Sequence, residues 1–104
     1  MLEVNRTLNK DKICYKNVFK KPGGIKYRSM YSGRIVNSGL TVTKNVRFYF
    51  WTSIRAAKQN LPNNGVIIKC VLPKGTHVET PVVAGMLNFE EIVSPVFFTN
   101  LKQV

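Results

Sequence analysis

Apolar and polar residues alternate along much of this chain with a period of two, the spacing of a pleated strand. Ile13-Cys14-Tyr15-Lys16-Asn17-Val18-Phe19 reads as a strand, and Lys20-Lys21-Pro22-Gly23-Gly24 after it is a turn signal. A second strand from Ile25 to Tyr31 completes a β-hairpin, with Ile25 and Tyr27 on one face and Lys26 and Arg28 on the other. From Ser32 to Asn45 the chain is rich in Gly, Ser, Asn and Thr, with Arg34-Ile35-Val36 as a short strand within it. Val46 to Trp51 is a strand that runs directly into a helix over 53–60, capped by Thr52 or Ser53. Ile54, Ala57 and Leu61 fall on the helix face that packs inward, leaving Arg55 and Lys58 outside. Leu61-Pro62-Asn63-Asn64-Gly65 ends the helix, and Val66 to Leu72 reads as a central strand. Further strands follow at Thr76 to Pro81, Phe89 to Val93 and Val96 to Phe98.

This order of elements predicts an α+β fold: a single small domain, mainly antiparallel sheet, with one short helix laid against it. No repeat and no internal boundary breaks residues 1–104, and residues 1–11 are weakly patterned, as expected of a flexible arm or a short helix. Composition agrees with a packed core, since 44% of the residues are apolar and 11% aromatic. The N-terminal residues MLEVNRTLNKDK hold no apolar signal core and no run reaches membrane-spanning length, which predicts a cytoplasmic protein. Cys14 and Cys70 lie in alternating apolar runs; buried reduced thiols or a disulfide between neighbouring strands both fit them.

Charge changes the picture most. Residues 1–58 hold 13 Lys and Arg against Glu3 and Asp11, a net of +11, whereas residues 59–104 hold Lys69, Lys74 and Lys102 against Glu79, Glu90 and Glu91, a net of zero. Solubility calls for magnitude of charge and not for segregation, so the basic half predicts a surface for something anionic. Lys16, Lys20, Lys21, Lys26, Arg28, Arg34, Arg47, Arg55 and Lys58 are the candidate anion-binding residues. Around Pro22-Gly23-Gly24 the glycines let backbone N–H groups approach an anion; an ordinary hairpin turn with solvated lysines is the alternative. Arg47, Tyr49 and Trp51 share one strand face, which makes Tyr49 and Trp51 candidates for stacking on bases. Burial of both strand faces is the competing reading there. Glu90 and Glu91 are adjacent on a strand and point to opposite faces, so they do not form a paired acid–base couple. His77 is the sole histidine, and neither a metal-ligand spacing nor a Ser-His-Asp order can be assembled.

Tyr27-Arg28-Ser29, then Phe48-Tyr49-Phe50-Trp51-Thr52-Ser53 leading into a helix, then Val66 to Thr76, then Phe89-Glu90-Glu91-Ile92-Val93, resembles a compressed ADP-ribosyltransferase. The resemblance implies that Arg28 holds NAD, that Thr52 and Ser53 match the end of a Ser-Thr-Ser strand, and that Glu90 or Glu91 is the catalytic acid. In that reading Arg28, Ser53, Glu90 and Glu91 are the catalytic set and NAD the cofactor. Trp51 stands where the first Ser of that motif would be. The strand-helix-strand part also resembles small phage and bacterial proteins of the same half-fold. The first expectation is therefore a basic, non-enzymatic binding protein with no cofactor and no metal. Its composition suits a phage or mobile-element gene acting in the host cytoplasm, possible use as a counter-defence factor included. Its partner is a nucleic acid, a nucleotide or an acidic host protein, and not a membrane. The ADP-ribosyltransferase-like enzyme is the second expectation and a toxin ribonuclease the third.

Overall fold

Cys14, Val18, Ile68, Cys70 and Leu72 are fully buried because the two strands that carry them pair over eight positions, from Lys12 opposite Leu72 to Phe19 opposite Gly65. The structure is a computed structural model that describes residues 2–20, 27–29 and 34–104, with the backbone alone for 2–4. In chain order its elements are β1 (Leu2–Thr7), β2 (Lys12–Lys20), β3 (Tyr27–Ser29), β4 (Ile35–Val36), β5 (Gly39–Val42), β6 (Phe48–Trp51), α1 (Ile54–Gln59), β7 (Gly65–Leu72), β8 (His77–Val83), β9 (Met86–Leu87), β10 (Glu91–Ser94) and β11 (Val96–Thr99).

The strands run side by side in the order β1-β8-β10-β6-β2-β7-β11-β5, every pair antiparallel. One edge of β2 belongs to β7 throughout. Its other edge is divided: β6 meets it at Tyr15, and β3 meets it at Val18 to Lys20. β3 then passes the sheet on to β4, an arm that leaves β2 beside β6, while β7 carries a second arm on to β11 and β5. The sheet folds around one apolar cluster, in which Leu8, Cys14, Val18, Tyr27, Val36, Phe50, Ile68, Cys70, Leu72, Val78, Ile92 and Phe97 meet. Phe97 is packed edge-on between Phe48 and Phe50, with ring centroids 4.9 and 5.2 Å away.

Period two assigns the faces. On β2, Cys14, Lys16 and Val18 point into the core, while Ile13, Tyr15, Asn17 and Phe19 point outward. The outer face is roofed over part of its width by α1, where Trp51, Ala56, Ala57 and Ile67 form a second cluster with Tyr15 against it. Ser53 is the N-cap, its hydroxyl accepting from the Ala56 N–H at 3.1 Å. Asn17 ties the helix to β2 by donating its side-chain amide to the Ala57 carbonyl at 3.0 Å.

The α+β expectation is corrected: one helix of six residues stands against eleven described strands, so the fold is nearly all-β. The helix is short because Pro62 follows it closely, and a Cβ on Gly65 would come within 3.1 Å of the Pro62 ring, holding β7 against that turn. Its inward residues are Ala56 and Ala57; Leu61, expected inside, is exposed. Segments read as irregular add strands. Residues 2–7 pair with β8, and residues 39–42 pair with β11. Lys20 lies opposite Tyr27, as a hairpin requires, while its loop at residues 21–26 lies outside the described residues. No described helix is long and apolar enough to cross a membrane.

Candidate anion pocket

Between the β3–β4 arm and the β5–β11 arm lies a cavity of about 400 Å³. β3 and β4 contribute Arg28, Ser29, Ile35 and Val36, with Arg34 and Asn37 flanking β4. Across from them are Thr41 and Thr43 from β5 and its end, and Phe48 and Phe97 from β6 and β11. Thr41 faces in because it pairs with the buried Phe97. Thr43 is fixed by its hydroxyl, which lies within hydrogen-bonding distance of the carbonyls of Val46 (2.7 Å) and Pro95 (2.8 Å). The wall therefore combines two arginines, three hydroxyls, one amide and an edge-packed pair of phenylalanines. Among the described residues, that lining holds no Asp, Glu, His or Cys.

Behind Phe48 is a buried cation. Lys16 is 3% exposed, and its ammonium donates to the Tyr49 carbonyl at 3.0 Å. It also lies 5.0 Å from the Phe50 ring centroid and 5.9 Å from that of Phe48. Burial lowers its pKa from the ordinary 10.5 to about 8, opposed by the neighbouring Cys70 and Cys14. Those two thiols are cross-strand partners and free. Burial first, then Cys70, pushes Cys14 well above the ordinary thiol range, and burial pushes Cys70 up to about 12.

The nine cations singled out from the sequence do not form one surface. Arg28 and Arg34 meet at the cavity. Lys16 is withdrawn into the core, which corrects its assignment to a cationic surface: its position on β2 shares the inward parity of Cys14 and Val18. Arg47 is spent on an ion pair, its Nε 3.8 Å from a Glu79 carboxylate oxygen across β10. Arg55 and Lys58 are exposed on α1, and Lys20 is exposed at the end of β2. Lys21 and Lys26 lie outside the described residues.

Of the two stacking candidates, Trp51 is corrected: only 8% exposed, it is sealed beneath α1 by Ala56 and Ala57. Tyr49 is exposed on β6, between β10 and β2, and has a partner of its own.

The four residues drawn from the ADP-ribosyltransferase resemblance are only partly brought together. Ser53 lies near Glu90 and Glu91, because Thr52 takes the Glu90 carbonyl through its N–H at 2.8 Å and Glu91 pairs with Trp51. The Ser53 hydroxyl is occupied as a helix cap. Glu91 accepts from the Asn88 amide at 2.9 Å, and burial raises its pKa against that bond; Glu90 is exposed in the preceding turn. Arg28 stands apart from them. It pairs with Phe19, four residues along β2 from the level of Trp51, or roughly 13 Å at strand rise.

Sequence reasoning missed Phe97, Thr41 and Thr43. The signal for the last two was present, since Leu40-Thr41-Val42-Thr43 alternates strictly. Among the described residues no three His, Cys, Asp or Glu side chains group as a metal site would require. No protein-family model, curated protein or solved structure matches the chain.

Proposed function

We propose that this chain is a non-enzymatic binding protein that takes a nucleotide in the cavity between the two sheet arms. The observation that carries the reading is the meeting of Arg28 and Arg34 with Phe48 and Phe97 around about 400 Å³. Arginine recognises phosphate through its forked donors, and an apolar aromatic wall suits a base. The volume falls in the range of small-molecule sites, roughly 300–1,000 Å³. A duplex nucleic acid would instead require a broad cationic surface, and the described cations singled out from the sequence are divided among the cavity, the core, an ion pair, α1 and the end of β2. Carried by a phage or mobile element, such a pocket would serve to sequester a host nucleotide signal.

The test is mass spectrometry of the natively purified protein, followed by calorimetric titration with ATP, AMP and adenosine. Nucleotide should co-purify, and the phosphorylated ligands should bind at least ~10-fold more tightly than adenosine, a difference of about 1.4 kcal/mol. Binding of duplex DNA with no binding of any nucleotide would sink the proposal. Incubation with NAD should release no nicotinamide; release that Glu91→Gln abolishes would replace the binder with a transferase.

A further inference from the structure

Among the described residues, the outer face of the sheet is roofed at one end only, by α1. Register places Ile13 opposite Val71, Val71 opposite Phe98, and Phe98 opposite Leu40. These side chains make one apolar row across β2, β7, β11 and β5, and Val42 stands beside it opposite Val96. α1 covers the same face at Tyr15 and Ile67, but beyond the helix Phe98 is 43%, Leu40 60% and Val42 66% exposed.

The row ends on an open strand edge. The Thr43 N–H bonds the Pro95 carbonyl, so odd-numbered residues of β5 turn their backbone toward β11. Leu40 and Val42 consequently turn N–H and C=O away from it, and β5 pairs with no strand but β11 among the described residues. The exposed Leu40 and Val42 thus also carry backbone groups that no described strand pairs. Such an edge is a template for another strand.

Charge selects what can come. β2, β7, β11 and β5 contain no carboxylate at all. Lys69 and Lys102 border a hollow of about 190 Å³ whose wall includes Val71 and Phe98, and the exposed Lys44 follows β5. A second copy would bring +11 against +11, which opposes association.

We infer that the β5 edge receives an extended segment of an acidic partner protein by strand addition. Apolar side chains of the added strand prolong the row beyond Leu40 and Val42. Carboxylates in the chain that follows it reach the hollow between Lys69 and Lys102. That hollow begins two strand spacings from the added strand, roughly 10 Å, a distance that about three extended residues cross. This surface is the outer side of the strand whose inner side supplies Thr41 to the cavity, and the inference does not depend on what the cavity binds.

The experiment uses the full chain and three synthetic peptides. One alternates valine with threonine and ends in glutamates, one ends in lysines instead, and one keeps the glutamates but carries N-methyl groups on the strand amides. The glutamate peptide should bind and slow amide exchange at Leu40 and Val42 by at least ~10-fold. The lysine and N-methyl peptides should each bind at least ~10-fold more weakly. In the Lys69→Glu/Lys102→Glu variant, altered only at exposed positions, the preference should pass to the lysine tail. Equal binding of the two tails by the wild type, or unchanged exchange at Leu40 and Val42, overturns the inference. So does sedimentation of the free chain as a dimer with both amides protected, which assigns the edge to a second copy.

Discussion

The Lys16 ammonium donates to the Tyr49 carbonyl at 3.0 Å from inside the core, with two phenylalanine ring centroids within 6 Å and the Cys14 and Cys70 thiols also beside it. One hydrogen bond to a neutral acceptor replaces water around a full charge, so the charged form is disfavoured where it stands.

Stability should therefore rise with pH just above neutrality. The unfolded chain keeps the Lys16 proton up to about 10.5, while the folded chain releases it at about 8. Between those values the unfolded state binds more protons, which favours the native state by up to about 1.4 kcal/mol per pH unit. Below about 8 both states are protonated and the penalty stands in full. The thiols act in the opposite sense: unfolded cysteines ionise near 9, and in the folded chain Cys70 holds its proton to about 12, with Cys14 also raised. Above pH 9 two thiols oppose one amine, so stability should peak near 9 and then fall. Urea midpoints measured from pH 7 to 11 check this, and Lys16→Met should remove the rise from 8 to 9.

Both thiols should resist labelling in the native state. Cys14 and Cys70 have no exposed surface, and their raised pKa values leave almost no thiolate at neutral pH. Reaction with a disulfide reagent should follow the rate of opening, and urea should accelerate it in step with unfolding. Rapid labelling of either cysteine in native buffer contradicts this packing.

The turn between β8 and β9 offers a stabilising change. Ala84 has φ 51° and Gly85 φ 79°, the left-handed pair of a two-residue hairpin. Only the second is a residue suited to that region. Ala84→Gly should raise stability by about 0.5–1 kcal/mol, and Gly85→Ala should lower it by about 1 kcal/mol or more. Thermal melts of the two variants read opposite signs if the turn is as described.

How much of this was legible in the sequence follows from what period two can and cannot say. Although Lys16 was read as part of an anion-binding surface, period two puts Cys14, Lys16 and Val18 on one face of the strand, because pleating alone decides parity. It could not say that a lysine would lie on the buried side; that depends on Phe48, Phe50 and the Tyr49 carbonyl arriving from more than 30 residues away. A cap at Thr52 or Ser53 was legible, since capping is local, and Ser53 fills it. The fold class was misread because Leu40-Thr41-Val42-Thr43 sits among Gly, Ser and Asn, where composition outweighed alternation. Arg28 and Arg34 were named as cations, and the pairing of β3 with β4 sets them on one wall; only the arrival of β5, β6 and β11 opposite makes that wall one side of a cavity.

The last prediction separates pocket from surface. If a nucleotide sits between the sheet arms, Arg34→Ala should weaken binding about 10-fold or more, since a charge-assisted bond is worth about 1.5–3 kcal/mol. Arg55→Ala and Lys58→Ala should leave affinity unchanged, because both side chains project from α1, outside the cavity lining. A polyanion spread over the basic half would give the reverse pattern. Each exposed lysine and arginine would then contribute, and with about five phosphates contacted the log affinity for duplex DNA would fall with log salt at a slope of roughly −4 to −5. Thr41→Val adds a control on the inner wall: it keeps the shape and the strand preference while removing one lining hydroxyl. A loss of nucleotide affinity in Arg34→Ala and Thr41→Val, with Arg55→Ala and Lys58→Ala at the wild-type value, places the ligand between the arms. Equal losses in Arg34→Ala, Arg55→Ala and Lys58→Ala would move it to the surface.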